Sequence, residues 1–309
     1  MNNIELCAIA FYLFIGFLTL TGLLTWLFKK TEAVVTFNKR MVSLWVLIFL
    51  FTLALISNKT VGMIFFLIFS IVAFAEYQKM ISVKFNDKRP SLLAYFLIPI
   101  QYWLLYKGNL TLFMIFIPLS IFVLVPVIGV VHKNCEDVWR NCLLDYIGLL
   151  LTAYCAGYMA IYLTLPYIGE MSAVGLLVYI LILSLMCDFF QAIFGQTIGK
   201  HKILPKISPN KTWEGLIGGT LLTGVLSYSM GIYLTPYGAS ELFILGCCLG
   251  LCCFGADVTI SSIKRWIGVK DTGKLLPGHG GLMDRFDSIL LSAPVLFFYT
   301  VLSQNITIH

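Results

Sequence analysis

Charge is what this sequence has least of. Only 12% of its 309 residues are Asp, Glu, Lys or Arg, about half the share found in soluble domains. That scarcity excludes an ordinary soluble globule, and it equally excludes a disordered chain, which lives on charge. Internal repeats and low-complexity segments are absent, so a fibrous protein is excluded as well. Histidine is scarce too, with four residues, and no Cys/His spacing of the metal-binding kind is present. The nine cysteines do not form a disulfide framework. Their number is odd, and Cys155, Cys187, Cys247, Cys248, Cys252 and Cys253 lie inside apolar runs, where Cys acts as a small hydrophobe. What is abundant is apolar surface. Hydrophobic residues make up 59% of the chain, and mean hydropathy is +0.91. These values predict an all-α, polytopic integral membrane protein. At about 20 residues per crossing the length has room for about ten helices and for no large soluble domain.

Ten apolar runs are visible, at 4–28, 41–57, 60–75, 91–106, 110–131, 143–165, 171–190, 215–235, 241–260 and 287–304. The first is too long for a signal-peptide core and has no basic lead-in, so it reads as a retained span. Breaks at Asn58–Thr60, Lys107–Asn109, Pro166–Glu170 and Pro236–Gly238 are tight and nearly uncharged. The alternate breaks are longer and basic. Nineteen of the 21 Lys and Arg residues fall in five alternate loops; only Lys59 and Lys107 fall on the opposite side. By the positive-inside tendency the five basic loops are expected in the cytoplasm and both termini outside. Residues 1–142 then form an N-terminal group of spans. Residues 143–309 form a C-terminal catalytic region carrying loops 195–215 and 261–287.

Those two loops hold the chemistry. The first contains Lys200, Lys202, Lys206 and Lys211 and ends where a helix begins. Ser208-Pro209 reads as an N-cap followed by Pro in the first turn, with Thr212 as the competing cap. Either start leaves free N–H groups beside lysines, which suits phosphate. The bland alternative is a basic loop that only sets topology. The second loop interleaves both charge signs, which topology does not require, and its Gly278, Gly280 and Gly281 permit close ligand approach. Asp257, near the end of the ninth run, and Asp284 and Asp287, at the start of the tenth, would meet at one depth in an antiparallel helix pair. Carboxylates so placed among Lys and Arg suit a hard divalent ion bound to substrate phosphates. Asp257 otherwise reads as a snorkelling helix-end residue. Asp188, at the end of the seventh run, reads equally as a helix-end or a site residue. His132, His201 and His309 carry no signal.

The string from Ser261 to Asp287 resembles the signature of phosphatidate cytidylyltransferases, also called CDP-diacylglycerol synthases. The matching positions are Ser261, Lys264-Arg265, Lys270-Asp271, Gly273, Leu276-Pro277, His279-Gly280-Gly281 and Asp284-Arg285-x-Asp287. The string Lys206-x-Ser208-Pro209-x-Lys211-Thr212-x-Glu214-Gly215 is similar to the family's other common segment. The resemblance covers roughly 186–295. Two departures stand out. Ala256 precedes Asp257 and Ile260 stands where family members commonly have Glu. Asp188-Phe189-Phe190-Gln191-Ala192 replaces an Asp-x-x-Ala-Tyr pattern.

The resemblance implies transfer of CMP from CTP to phosphatidic acid, with Mg²⁺ as cofactor. It implies Asp257 and Asp284 as metal ligands. Lys206, Ser208, Lys211, Thr212 and Glu214 would bind substrate, and Lys264, Arg265, Lys270, Asp271, His279, Arg285 and Asp287 would be catalytic. The acceptor, a phosphate monoester, is already ionised near neutral pH, so His279 is expected to donate a hydrogen bond rather than act as base. CTP, phosphatidic acid and membrane lipids are the expected partners. Nucleic acid is not expected, and a homodimer is compatible with the sequence. Localisation in a bacterial inner membrane, with the site facing the cytoplasm, follows. A CTP-dependent kinase of a polyprenol-type lipid, a transporter of an anionic lipid and an inactive family member are the competing readings. A kinase would need His279 or Asp188 as base. A transporter would place its polar groups near the midplane on repeated halves.

Overall fold

A computed structural model describes residues 50–51, 54, 57–85, 92–131, 135–165, 167–168, 171–273 and 280–304. The first apolar run and most of the second lie outside these residues, as do Lys274, His279 and His309. Each of the other eight runs is helical. They give α1 (Lys59–Phe85), α2 (Leu92–Tyr106), α3 (Leu110–Val131), α4 (Cys135–Leu149) and α5 (Cys155–Ile161), then α6 (Ala173–Thr197), α7 (Trp213–Leu234), α8 (Ala239–Ile267) and α9 (Met283–Ser303). The sixth run is divided between α4 and α5 by a π-helical turn at Leu150–Tyr154, the kind of bulge an otherwise continuous helix tolerates. Seven helical stretches are long and apolar enough to cross a bilayer; α2 is shorter. The protein is an all-α, multi-pass membrane protein.

Two helices continue well beyond their hydropathy runs. The third run predicts a span over 60–75, yet α1 continues to Phe85. The ninth predicts 241–260, yet α8 continues to Ile267. In both cases the added turns are amphipathic and carry Lys84 or Lys264 and Arg265 past the apolar zone. Hydropathy marks where lipid ends, whereas the backbone ladder continues as long as propensity allows. Asp257 therefore lies ten residues before the end of α8, about 15 Å along the axis.

Two short hairpins complete the fold. Strands β1 (Tyr167–Ile168) and β2 (Met171–Ser172) pair antiparallel, as do β3 (Lys202–Leu204) and β4 (Ser208–Thr212). The second hairpin falls within the first basic loop and leads directly into α7.

Among the described residues, helices α6, α7, α8 and α9 pack most extensively on one another. A Cβ placed on Gly219 of α7 would come within 2.5 Å of Gln191 Cγ and 2.7 Å of the Gln191 backbone N on α6. Only glycine admits that approach, which is how helices pack where lipid removes the hydrophobic drive between them. Between α6 and α7, Tyr179 Oη and Ser227 Oγ share a 2.7 Å hydrogen bond. On the outside, Ile217, Leu221, Val225 and Ile232 of α7 remain exposed, an apolar face suited to acyl chains.

The helix ends sort into two sets. At one end Lys84 of α1 donates to the Trp266 carbonyl at 2.6 Å and sits 3.7 Å from the Trp266 ring centroid. There too Arg265 of α8 donates from Nε to the Ile207 carbonyl of the β3–β4 hairpin at 3.1 Å. At the other end Thr60 meets Tyr106 at 3.4 Å, and Tyr237 meets Thr300 at 2.6 Å. The alternation matches the division into basic and uncharged breaks. Cysteines introduced at Gly108 and at Lys206 should therefore be labelled by an impermeant maleimide from opposite sides of sealed vesicles. Labelling of both from the same side would overturn this arrangement.

Candidate active site

The site begins with a carboxylate problem. Asp188 on α6, Asp257 on α8 and Asp287 on α9 act on one another electrostatically, and Asp287 is only 7% exposed. Three carboxylates in an apolar bundle need cations or donors. Lys211, at the end of β4, supplies the first. Its Nζ lies 2.5 Å from Asp257 Oδ2, 3.4 Å from Gln191 Oε1 and 5.5 Å from the Phe254 ring centroid. Asp188 accepts a short hydrogen bond from Ser288 Oγ, and Asp287 accepts the Ser288 N–H at 2.9 Å. Asp188 Oδ1 is buried and has no hydrogen-bond partner among the described residues.

Lys211 is held upright by its own segment. Thr212 caps α7: its backbone is extended and its hydroxyl accepts the Gly215 N–H at 3.1 Å. Ser208 is therefore not the cap. It pairs with Leu204 inside β4, because the hairpin extends the chain as far as Thr212 and postpones the helix. Glu214, in the first turn of α7, accepts the Lys200 N–H at 3.1 Å and pairs with His201 Nδ1 at 2.6 Å. It closes the hairpin back onto the helix, so His201 carries a structural role that sequence gave no reason to expect.

A second pair stands beside the first. Lys264 Nζ lies 2.8 Å from Asp284 Oδ1. Asp284 Oδ2 also accepts the N–H groups of Thr272 at 2.9 Å and Gly281 at 3.0 Å. Asp284 thus gathers α8, the second loop and the start of α9. Gly280 has φ +89°, a left-handed conformation that glycine adopts freely. Asp257 and Asp284 enter different ion pairs, each closed by a lysine. Among the described residues no three His, Cys, Asp or Glu side chains form a ready metal-binding group.

Lys206 is exposed at the β3–β4 turn, and Lys270 and Asp271 are exposed after α8. Arg265 ties the two loops together through its bond to Ile207. Arg285, on the first turn of α9, acts electrostatically on Asp188. His279 lies outside the described residues. Sequence reasoning passed over Glu76 on α1, which is 6% exposed and accepts the Met283 N–H at 3.2 Å. A lone carboxylate directly after an apolar run was the available signal.

A sequence model of the cytidylyltransferase family matches residues 38–303. The chain belongs to the cytidylyltransferase family. Membership bears out the nucleotidyltransferase class expected from the two loops. The chain is 35% identical over 255 residues to the uncharacterized protein YnbB of Escherichia coli K12, covering 82% of this chain and 84% of that protein. It is 48% identical over 118 residues to a phosphatidate cytidylyltransferase of Rickettsia bellii, covering 36% of this chain and 51% of that one. A Staphylococcus aureus phosphatidate cytidylyltransferase is 41% identical over 122 residues, covering 39% and 46% respectively. The chain thus spans about half the length of these phosphatidate cytidylyltransferases. In this family member Ile260 is buried within the apolar core, so the carboxylates around Asp257 come from α6 and α9 instead. Gln191, at the second departure, fills the space left by Gly219 and holds Lys211.

Two outcomes follow. Burial by itself would lower the Lys211 pKa, but Asp257 and Asp188 outweigh it and raise the ammonium above its ordinary 10.5. A raised lysine stabilises the fold fully below the unfolded value and loses that contribution as pH climbs through the folded one. The difference in unfolding temperature between the wild type and Lys211→Met should be flat from pH 7 to about 10 and shrink only above it. Thr212→Ala should cost about 1 kcal/mol of stability, with Thr212→Ser near wild type, as read by thermal unfolding in detergent.

Proposed function

We propose that this protein transfers CMP from CTP to phosphatidic acid, giving CDP-diacylglycerol and pyrophosphate, at the cytoplasmic face of a bacterial inner membrane. The observation that carries the reading is the pair of lysine–carboxylate contacts, Lys211–Asp257 and Lys264–Asp284, with Asp287 acting electrostatically on both Asp257 and Lys264. Family membership supports the chemistry, and the clustering of charge at one end argues against a transporter.

The nucleophile is a phosphate monoester oxygen of the lipid. It attacks the α-phosphorus of CTP, and the bond from that phosphorus to the oxygen bridging to the β-phosphorus breaks. The nucleophile is already ionised near pH 7, so no general base is required. The difficulty is bringing two anions together and stabilising the leaving pyrophosphate. Lys206 and Lys211 are assigned to the CTP phosphates. Arg285 or Lys264 faces the lipid phosphate. Thr212, Glu214 and Arg265 keep these cations in register.

The donor set fits Mg²⁺. Asp257 meets Lys211 directly, Asp188 and Asp287 act on the same ammonium electrostatically, and one buried oxygen of Asp188 has no partner among the described residues. Asp257 and Asp284 are the proposed ligands, with Asp287 and Asp188 beside Asp257. When bound, Mg²⁺ screens the triphosphate and stabilises charge on the departing pyrophosphate.

Purified protein in detergent, given labelled CTP, Mg²⁺ and phosphatidic acid, should release pyrophosphate and form CDP-diacylglycerol. Release of CDP would assign a lipid kinase instead. Asp257→Asn and Asp284→Asn should each lower turnover more than tenfold, a loss above about 1.4 kcal/mol, while still inserting into the membrane. Lys211→Ala should lower kcat/KM for CTP roughly ten- to a hundred-fold, the worth of a charge-assisted hydrogen bond of about 1.5–3 kcal/mol. An equal or larger rise in the lipid KM would reverse the assignment of the two loops.

A further inference from the structure

Helix α9 carries Asp284 and Asp287 in its first two turns, yet it has no cap of its own. Residue Leu282 occupies the cap position and offers no side-chain acceptor. The N–H groups of a first turn must find partners elsewhere. Asp284 Oδ2 takes that of Gly281, just outside the helix. That of Met283 goes to Glu76 Oε2 on α1, a residue 207 positions away in sequence.

The contact is built on both sides. Gly281 leaves the room Glu76 needs, since a Cβ there would fall 2.8 Å from Glu76 Oε2 and against Thr272 Oγ1. A Cβ on Gly273 would fall 2.7 Å from Glu76 Oε1. The carboxylate therefore fits between the two arms of the loop that joins α8 to α9. Below it, Phe69 of α1 meets Phe286 of α9 edge-on at 4.7 Å, and Phe51 stacks on Phe286 at 5.1 Å. An anion at a helix N-terminus is also favoured by the helix dipole.

We propose that Glu76 is a positioning residue for the reaction: it caps α9 from α1 and clamps the loop at Thr272–Gly273 and Gly281, fixing Asp284 and Asp287. The N-terminal helices are then part of the catalytic unit rather than an anchor for it. The proposal rests on the cytidylyltransferase reading only for its kinetic consequence.

Two measurements on the full chain in detergent test it, using Glu76→Ala and Glu76→Gln. The amide oxygen of Gln still accepts the Met283 N–H, whereas Ala leaves it bare. First, Thr272→Cys is introduced and its maleimide modification followed by peptide mass spectrometry, a readout that needs no activity. Thr272 is 4% exposed, so labelling should be slow. Glu76→Ala should speed it at least tenfold, and Glu76→Gln should keep it within about threefold of the starting rate. Second, per folded molecule, Glu76→Ala should lower kcat/KM for CTP at least tenfold with little change in the lipid KM, and Glu76→Gln should recover most of it. Labelling unchanged by Glu76→Ala, or a Gln variant no better than Ala in either assay, overturns the proposal. A wild-type protein that does not use CTP overturns the functional reading instead, and the labelling result still decides whether Glu76 holds the loop.

Discussion

Neutralising carboxylates inside an apolar bundle is the constraint on which the rest depends. Asp188, Asp257, Asp284 and Asp287 stand on three helices where water is scarce. A bare charge at the centre of a membrane helix costs about 2.5–3.5 kcal/mol on insertion scales. The protein meets this with two ammonium groups aimed inward, Lys211 and Lys264, and with N–H groups of Thr272, Gly281 and Ser288. Breaking either pair would leave a charge without compensation, which costs far more than an intact pair contributes. Stability and the proposed chemistry therefore draw on the same residues.

The surrounding architecture keeps those lysines in place. Lys211 is the next-to-last residue of a hairpin whose far end is bound to α7 by Glu214 and whose near end is stopped by the Thr212 cap. Gln191 meets Lys211 from α6 because Gly219 lets α7 approach that closely. Lys264 sits one residue before Arg265, which ties α8 back to Ile207 in the same hairpin. The hairpin of the first basic loop is thus tied to the end of α8, although separate runs of apolar sequence lie between them.

A site of this kind suits a reaction between anions in which one partner is confined to the membrane plane. Lys211 precedes α7 and Lys264 lies near the end of α8, and both side chains are largely buried. The exposed apolar face of α7 borders the same hairpin, so acyl chains and phosphate would meet adjoining surfaces of one element. The proposed chemistry asks little of acid–base groups, which accords with the paired charges of Lys211–Asp257 and Lys264–Asp284.

The sequence by itself determined the class of protein, the position of eight helices and the two loops that hold the charge. These are properties of composition and local pattern: apolar runs must lie in lipid, and basic residues collect between alternate runs. Thr212 was legible as one of two candidate caps of a helix start, and Glu214 as a residue of that start although not in its contact with His201. Tertiary structure alone decided that β4 postpones the helix past Ser208, that Asp257 and Asp284 sit in separate ion pairs, and that Asp188 belongs beside Asp257. It also brought Glu76 to α9, across 207 residues. No local pattern carries such information. Which lysine neutralises which carboxylate depends on how closely helices approach and on how far each runs beyond its apolar stretch, and both are set by packing among distant segments.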